Sequence, residues 1–302
     1  MFAVPITLPD LAQVVLSGVL SGGVYAVVAL GLTMIFGVMR IINVAHGELL
    51  MVGAYATWGL WALNPLGLPP EVHRLFPLLT LPVVMALLFA MGWAVQKYLL
   101  NRVVKGEELT PLLITFGVSI ILINSSLQAF TSDYRSVPVF QGSVFAAGLA
   151  FSQPRVISFL LAAGITVAVF VFLARSRLGK AIRATAENSD VAMVCGVNVP
   201  QVYCITFGFG AALAAAGGAL VSIMYSIYPE VGATFLLKSF AIIILGGRGN
   251  YLGALVGGLI LGVIESLTAY LWTARITEAV AYVILVLVLL VRPQGLLKGT
   301  PT

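Results

Sequence analysis

Three polar side chains lie within six positions of the stretch "RIINVAHGELLMVGAY", Arg40 to Tyr55: Asn43, His46 and Glu48. The H-x-E spacing of His46 and Glu48 is the one metal-dependent deaminases use, with histidine as ligand and glutamate moving protons. A zinc site needs roughly three or four ligands. His73 is the only other histidine, and Cys195 and Cys204 have no paired spacing. Metal chemistry is therefore not supported, and the two thiols read as inert. Covalent hydrolysis fares no better, because no G-x-S-x-G run occurs. "LGGRGNYLGA" lacks the G-K-[ST] ending of a phosphate-binding loop, so the chain is not expected to hydrolyse ATP or to need a cofactor of its own.

The elements that carry these residues are apolar. Of 302 residues 60% are hydrophobic and 9% charged, and the mean hydropathy is +1.07. Such values exclude a soluble domain and indicate membrane helices. The expected fold class is an all-α polytopic membrane protein, one transmembrane domain over 1–302. The net charge of +5 is spread along the chain and argues for membrane topology rather than nucleic acid. "MFAVPITLPDLAQ" has no basic stretch before the first apolar run, so that run reads as a mature helix rather than a cleaved signal.

Nine apolar segments follow, at 11–37, 41–63, 76–98, 110–130, 156–174, 201–226, 235–247, 251–272 and 276–291. This predicts about 8–9 transmembrane helices, one of them short or re-entrant. The short one, 235–247, covers about 20 Å of a roughly 30 Å hydrocarbon core. Eleven of the 16 Lys and Arg residues fall in one set of connections, among them Arg40, Lys97, Lys105, Arg175, Arg183, Arg248, Arg292 and Lys298. Arg74, Arg135, Arg155, Lys238 and Arg275 fall in the other. The positive-inside rule puts the first set in the cytoplasm, the N-terminus outside and the C-terminus inside. Trp58, Trp61, Trp93, Tyr98, Tyr270 and Trp272 sit near segment ends, where interfacial aromatics belong.

On a regular helix Asn43 and His46 are about 60° apart, and Glu48 is about 140° from Asn43. The three converge only if the helix is irregular, which Gly47 and Gly53 would permit. Measured from Arg40, His46 lies about 9 Å and Glu48 about 12 Å into the membrane. Glu265 is a second embedded acid, about 20 Å past Tyr251 and towards the outside, so it is not expected to pair with Glu48. Ionisable groups at such depth suggest a transport pathway or gate. A hydrogen-bonded pin between helices is the other reading, and both stand for Asn43, His46, Glu48 and Glu265.

Two connections are long. "TSDYRSVPVFQGSVFAAGLAFSQPR" is rich in Ser, Gly and Pro and lies on the outer side. "RSRLGKAIRATAENSDVAMVCGVNVP", 175–200, is the most charged stretch yet keeps Leu178, Ile182, Val191, Met193 and Val194. Ser189 and Asp190 suit the cap of a short helix and Gly196 its end. Two short helices across the cytoplasmic face are expected, either as an ordinary basic loop or as a docking element. The pairs Gly253/Gly257 and Gly258/Gly262, and the small-residue run "FGFGAALAAAGGALVS", suit close helix packing. Gly, Arg and a spanning run recur in "FGVMRIINVAHGELLMVGAY" and "LGGRGNYLGALVGGLILGVIE", a weak sign of duplication.

With these residues in view, the chain resembles the permease subunits of branched-chain amino acid ABC importers over roughly residues 11 to 298. The likeness rests on "GVYAVVALGLTMIFGVMRIINVAHGELLMVGAY", "TPLLITFGVSIILIN", "GKAIRATAENSDVAMVCGVN", "AIIILGGRGNYLGALVGG" and "LLVRPQGLL", in that order. Ile42 to Gly47 is similar to the family's I-N-x-A-H-G run. The resemblance implies an inner-membrane importer and no enzyme. Its partners would be a second permease subunit (a homologous heterodimer), two cytoplasmic ATP-binding subunits, a periplasmic binding protein and lipid. It gives 175–200 the ATPase-coupling role, carried by Gly179, Arg183, Ala186, Glu187, Asn188 and Gly196. Related permeases carry urea, short amides or other amino acids. An ion-coupled carrier with Glu48 or Glu265 as proton site, and a scaffold without transport, are the rival readings.

Overall fold

The computed structural model describes residues 8–104, 109–146, 148–247, 249–272, 274–291 and 295. Residues 1–7, Lys105, Arg248, Arg292, Lys298 and most of the terminal "LLVRPQGLL" run lie outside the described residues.

Among those residues each of the nine predicted segments coincides with a helix. These are α1 (Leu8–Met39), α2 (His46–Leu63), α4 (Phe76–Tyr98), α5 (Leu109–Phe130), α6 (Gln153–Arg175), α9 (Val199–Met224), α10 (Val231–Gly246), α11 (Tyr251–Leu271) and α12 (Ala274–Val291). Short helices α3 (Pro70–His73), α7 (Arg177–Glu187) and α8 (Ser189–Val194) lie in the connections. Among the described residues six helices are long and apolar enough to cross a membrane: α1, α4 with its 3-10 extension, α5, α6, α9 and α11. The chain is thus an all-α membrane protein, with one hairpin among the described residues, β1 (Ser143–Ala146) and β2 (Leu149–Ser152). The hairpin falls in the long Ser, Gly and Pro-rich connection, where only a loop was expected.

The most enclosed helices are α1 and α9, whereas α5 and α6 turn most of their surface outwards. The glycine pairs divide their work. A methyl group at Gly22 would stand 2.7 Å from the Gly258 carbonyl oxygen, and one at Gly258 would stand 2.8 Å from Ala26 Cα. Gly257 instead faces the Ile242 carbonyl, which a methyl group would approach to 2.9 Å. One glycine row of α11 therefore packs on α1 and the other on α10. Lipid supplies no hydrophobic drive between helices, so close backbone contact carries the association. The two Gly–Arg boundaries are also neighbours, since a methyl group at Gly37 would lie 3.1 Å from Gly249 Cα.

The bundle has two distinct ends. One holds the hairpin, tied to α1 where Gln13 Nε2 donates to the Ala150 carbonyl (2.5 Å) and the Ala150 amide donates to Gln13 Oε1 (2.9 Å). There Arg135 stacks over Trp58 at 4.2 Å and pairs through its backbone with Ile227. The other end holds Arg40 and α7–α8. There Lys97 lies 4.4 Å over the Trp93 ring at the end of α4.

Candidate functional site

The stretch after α1 is not helical. Helix α2 starts later than predicted segment 41–63: Arg40 takes a left-handed conformation (φ 56°), residues 41–43 have no regular structure, residues 44–45 form a turn, and α2 begins only at His46. The reason is local. Non-helical backbone inside a membrane bundle must find hydrogen bonds within the protein. Thr115 of α5 meets this need, its Oγ1 accepting from the Val44 amide (3.2 Å) and sharing its one proton between the carbonyls of Leu112 (3.0 Å) and Ile42 (3.3 Å).

This break sets the depth of the polar residues. His46 Nε2 lies 3.0 Å from the carbonyl oxygen of Val28, which is 11 residues before the end of α1. At about 1.5 Å per residue that is about 16 Å along the helix, not the 9 Å expected from an unbroken segment. The non-helical chain between α1 and α2 turns back alongside α1, so α2 starts part-way through the bundle. Asn43, His46 and Glu48 are all buried, and Asn43 accepts the His46 amide through its carbonyl (3.4 Å). The Glu48 carboxyl, in the first turn of α2, faces Ser119 of α5. Among the described residues both polar atoms of the Asn43 side chain, His46 Nδ1 and Glu48 Oε2 are buried without a hydrogen-bond partner. Buried polar groups are normally paired, and these four atoms are exceptions among the described residues.

A second broken helix meets the first. After α9 the chain runs through residues 225–230, pinned where the Ile227 amide donates to the Arg135 carbonyl (2.6 Å), and α10 begins at Val231. A methyl group at Gly232 would lie 2.6 Å from the Gly47 carbonyl oxygen, and one at Gly47 would strike the Gly232 carbonyl. The N-terminal turns of α2 and α10 thus cross backbone to backbone inside the bundle. The N-terminal turns of helices carry unpaired amides and partial positive charge.

Glu265 belongs elsewhere. Its Oε2 lies 2.9 Å from Nζ of Lys238, a salt bridge between α10 and α11. Lys238 is inside α10, seven residues past its start, not in a connection. Its placement among the loop charges is corrected: Lys238 falls inside both the predicted segment 235–247 and α10. Thr115, Ser119 and Lys238 are site residues that the pattern of charges alone did not single out. The signal for the first two was their spacing of four, one helix face in an apolar run.

At the charged end, α7 and α8 lie between α6 and α9. Ser176 caps α7 by accepting from the Gly179 amide (2.8 Å), and Gly179 is pressed on the backbone of Phe172 and Leu173, leaving no room for a side chain. Arg183 donates to the Leu173 carbonyl, tying α7 to the end of α6. Ala186 is half-buried, while Glu187 and Asn188 are exposed. The cap of α8 is Asn188, whose Oδ1 accepts from Asp190 and Val191 amides (3.0 Å each), and not Ser189 or Asp190 as expected. Gly196 ends α8 with φ +85°, its amide donating to Met193 and the next amide, of Val197, to Ala192. Leu178, Val191, Met193 and Val194 remain exposed, Val194 at 90%.

Comparison with known proteins follows this geometry. Residues 14–289 match the family model described as the permease component of branched-chain amino acid transport systems. The chain belongs to this family. It is 32% identical over 297 residues to BraD of Pseudomonas aeruginosa, covering 96% of each chain. It is 33% identical over 301 residues to LivH of Escherichia coli K12, again 96% of each. Both relatives are named high-affinity branched-chain amino acid transport system permease proteins. A probable LivH permease of Methanocaldococcus jannaschii is 28% identical over 315 residues. No solved structure gives a significant match. The chain is a multi-pass membrane permease rather than an enzyme.

Proposed function

We propose that this chain is the membrane permease subunit of an ABC importer that moves branched-chain, apolar amino acids into the cytoplasm. The observation that carries the reading is the match along 96% of both chains to permeases named for that transport. In this reading a second, homologous permease pairs with the chain in the cytoplasmic membrane. Two ATP-binding subunits dock beneath, and a periplasmic binding protein delivers substrate. The N-terminus is outside, and the C-terminus and the α7–α8 end are cytoplasmic, in accord with the excess of Lys and Arg there.

The α7–α8 unit, within 175–200, is the coupling element. Its exposed apolar residues Leu178, Val191, Met193 and Val194 offer a docking face, and Arg183 and Gly179 fasten it to α6. Movement imposed on α7 by nucleotide-driven closure of the ATP-binding subunits would pass to α6, and through packing to α1 and α9. Energy enters through the different affinities of nucleotide for the two states. The crossing of α2 and α10, with Asn43, His46 and Glu48, is the gate in this mechanism, since short broken helices can shift without unpicking a full span.

Uptake by the reconstituted complex tests the whole reading. ATP-dependent leucine uptake that needs the binding protein is the expected result. Uptake driven by a proton gradient without ATP would overturn it in favour of an ion-coupled carrier.

A further inference from the structure

Lys238 and Glu265 are 27 residues apart in sequence and meet across α10 and α11. Their side chains are 14% and 7% exposed. Lys238 Nζ also donates to the Tyr25 hydroxyl (3.3 Å) and lies 4.6 Å above the Tyr25 ring and 5.5 Å from the Phe235 ring. The Tyr25 hydroxyl faces Glu265 and Tyr225 as well, and Tyr225 is 3.2 Å from Ser21 Oγ. Glu265 Oε1 is buried and has no partner among the described residues.

A pair of this kind is a costly way to hold two helices together. Apolar residues of similar volume usually do so as well or better, and ionisable groups within a membrane mark pathways by default. Oε1 of Glu265 is left over from the pair. What the cluster does offer is one cation, one anion with a free oxygen, and two aromatic faces beside them. That set complements a molecule with an ammonium and a carboxylate on the same carbon and an apolar side chain.

Resting on the amino-acid import reading above, we infer that Lys238 and Glu265 form a recognition site for the zwitterionic head of the substrate. In the empty protein the two charges neutralise each other. An entering amino acid exchanges with the pair, its carboxylate taking Lys238 Nζ and its ammonium taking Glu265 Oε1, while its side chain packs on Phe235 and Tyr25. No net charge enters the membrane at any point, which keeps the cost of burial low. Tyr25 is a positioning residue, holding Lys238 through its hydroxyl.

The test uses the full importer in proteoliposomes with the binding protein and ATP. Lys238→Met, Glu265→Gln and the double variant are compared with wild type for leucine uptake, and co-purification with the partner subunits is measured alongside. Each single variant is expected to lose about tenfold or more in uptake rate, roughly the effect of 1.4 kcal/mol. The double variant restores a neutral, near-isosteric pair. It is expected to assemble and yet stay as impaired as the singles, because both groups that read the zwitterion are gone. Recovery of uptake in the double variant would make the pair a pin and overturn the inference. Failure of the double variant to assemble would overturn it too, by making the charges a requirement of the fold. Wild type that takes up no amino acid removes the import reading and this inference together, whereas active wild type with an active double variant removes this inference alone. Tyr25→Phe is expected to raise KM for leucine with little change in kcat.

Discussion

Gly47 and Gly232 are separated by most of the chain, yet their backbones touch: a methyl group on Gly232 would lie 2.6 Å from the Gly47 carbonyl oxygen. The contact joins the N-terminal turns of two helices that both begin inside the bundle. It brings the polar residues of α2 next to α10, which carries Lys238.

That contact leaves no room for a side chain, and the atoms in the way are backbone. Gly47→Ala and Gly232→Ala are each expected to lower stability by about 1–3 kcal/mol, the usual cost of overpacking. Thermal unfolding in detergent measures this. Gly59→Ala, also in α2, has nothing within 4 Å of the added methyl and serves as the control, expected to leave the midpoint unchanged.

Glu48 faces Ser119 at the start of α2, with Oε2 left unpaired. Glu48→Gln keeps the shape and the hydrogen-bonding groups but removes the capacity for charge. Normal assembly with uptake reduced about tenfold, or ~1.4 kcal/mol, is the expected outcome for a gate. Wild-type uptake would assign Glu48 to holding helices.

In the proposed coupling role of α7–α8, anchoring and docking fall to different residues. Arg183 is held by the Leu173 carbonyl, so Arg183→Glu should loosen α7 from α6 and uncouple transport from ATP hydrolysis. Glu187 is exposed, and Glu187→Arg should uncouple through the partner instead. Both are expected to assemble in the membrane. Uptake and ATPase rates measured together check this, and wild-type uptake in both variants would sink the coupling role. Val194→Asp, at a side chain 90% exposed, should weaken co-purification of the ATP-binding subunits without lowering the stability of the permease.

Asn188 caps α8 with two amide hydrogen bonds. Asn188→Ala is expected to cost about 1 kcal/mol of local stability. Hydrogen exchange should accelerate in residues 189–194 and stay unchanged in α9.

The hairpin is tied to α1 by two hydrogen bonds from the Gln13 side chain. Gln13→Ala should speed amide exchange across 143–152 while the unfolding midpoint of the bundle stays within about 1 °C, since few other contacts of the core depend on it.

By itself the sequence determined what local composition can determine. Runs of apolar residues located nine helices, because burying a helix in lipid depends on its own side chains. The charge-dense stretch 175–200 with its retained apolar residues and Gly196 located two short helices, because a glycine stop is local, while the cap proved to be Asn188 rather than Ser189 or Asp190. The glycine pairs announced close packing but not their partners, and periodicity could not say that Gly257 meets α10 while Gly258 meets α1. What only the tertiary structure decided is where helices begin in depth and which charges meet. A regular rise from Arg40 put His46 too shallow, since the hydrogen bonds that hold the non-helical backbone at Ile42 and Val44 involve Thr115, far along the chain. Lys238 looked like a loop charge because its compensation, Glu265, sits on another helix. Hydropathy records the cost of burying a charge, and only the folded bundle supplies the neighbour that offsets it.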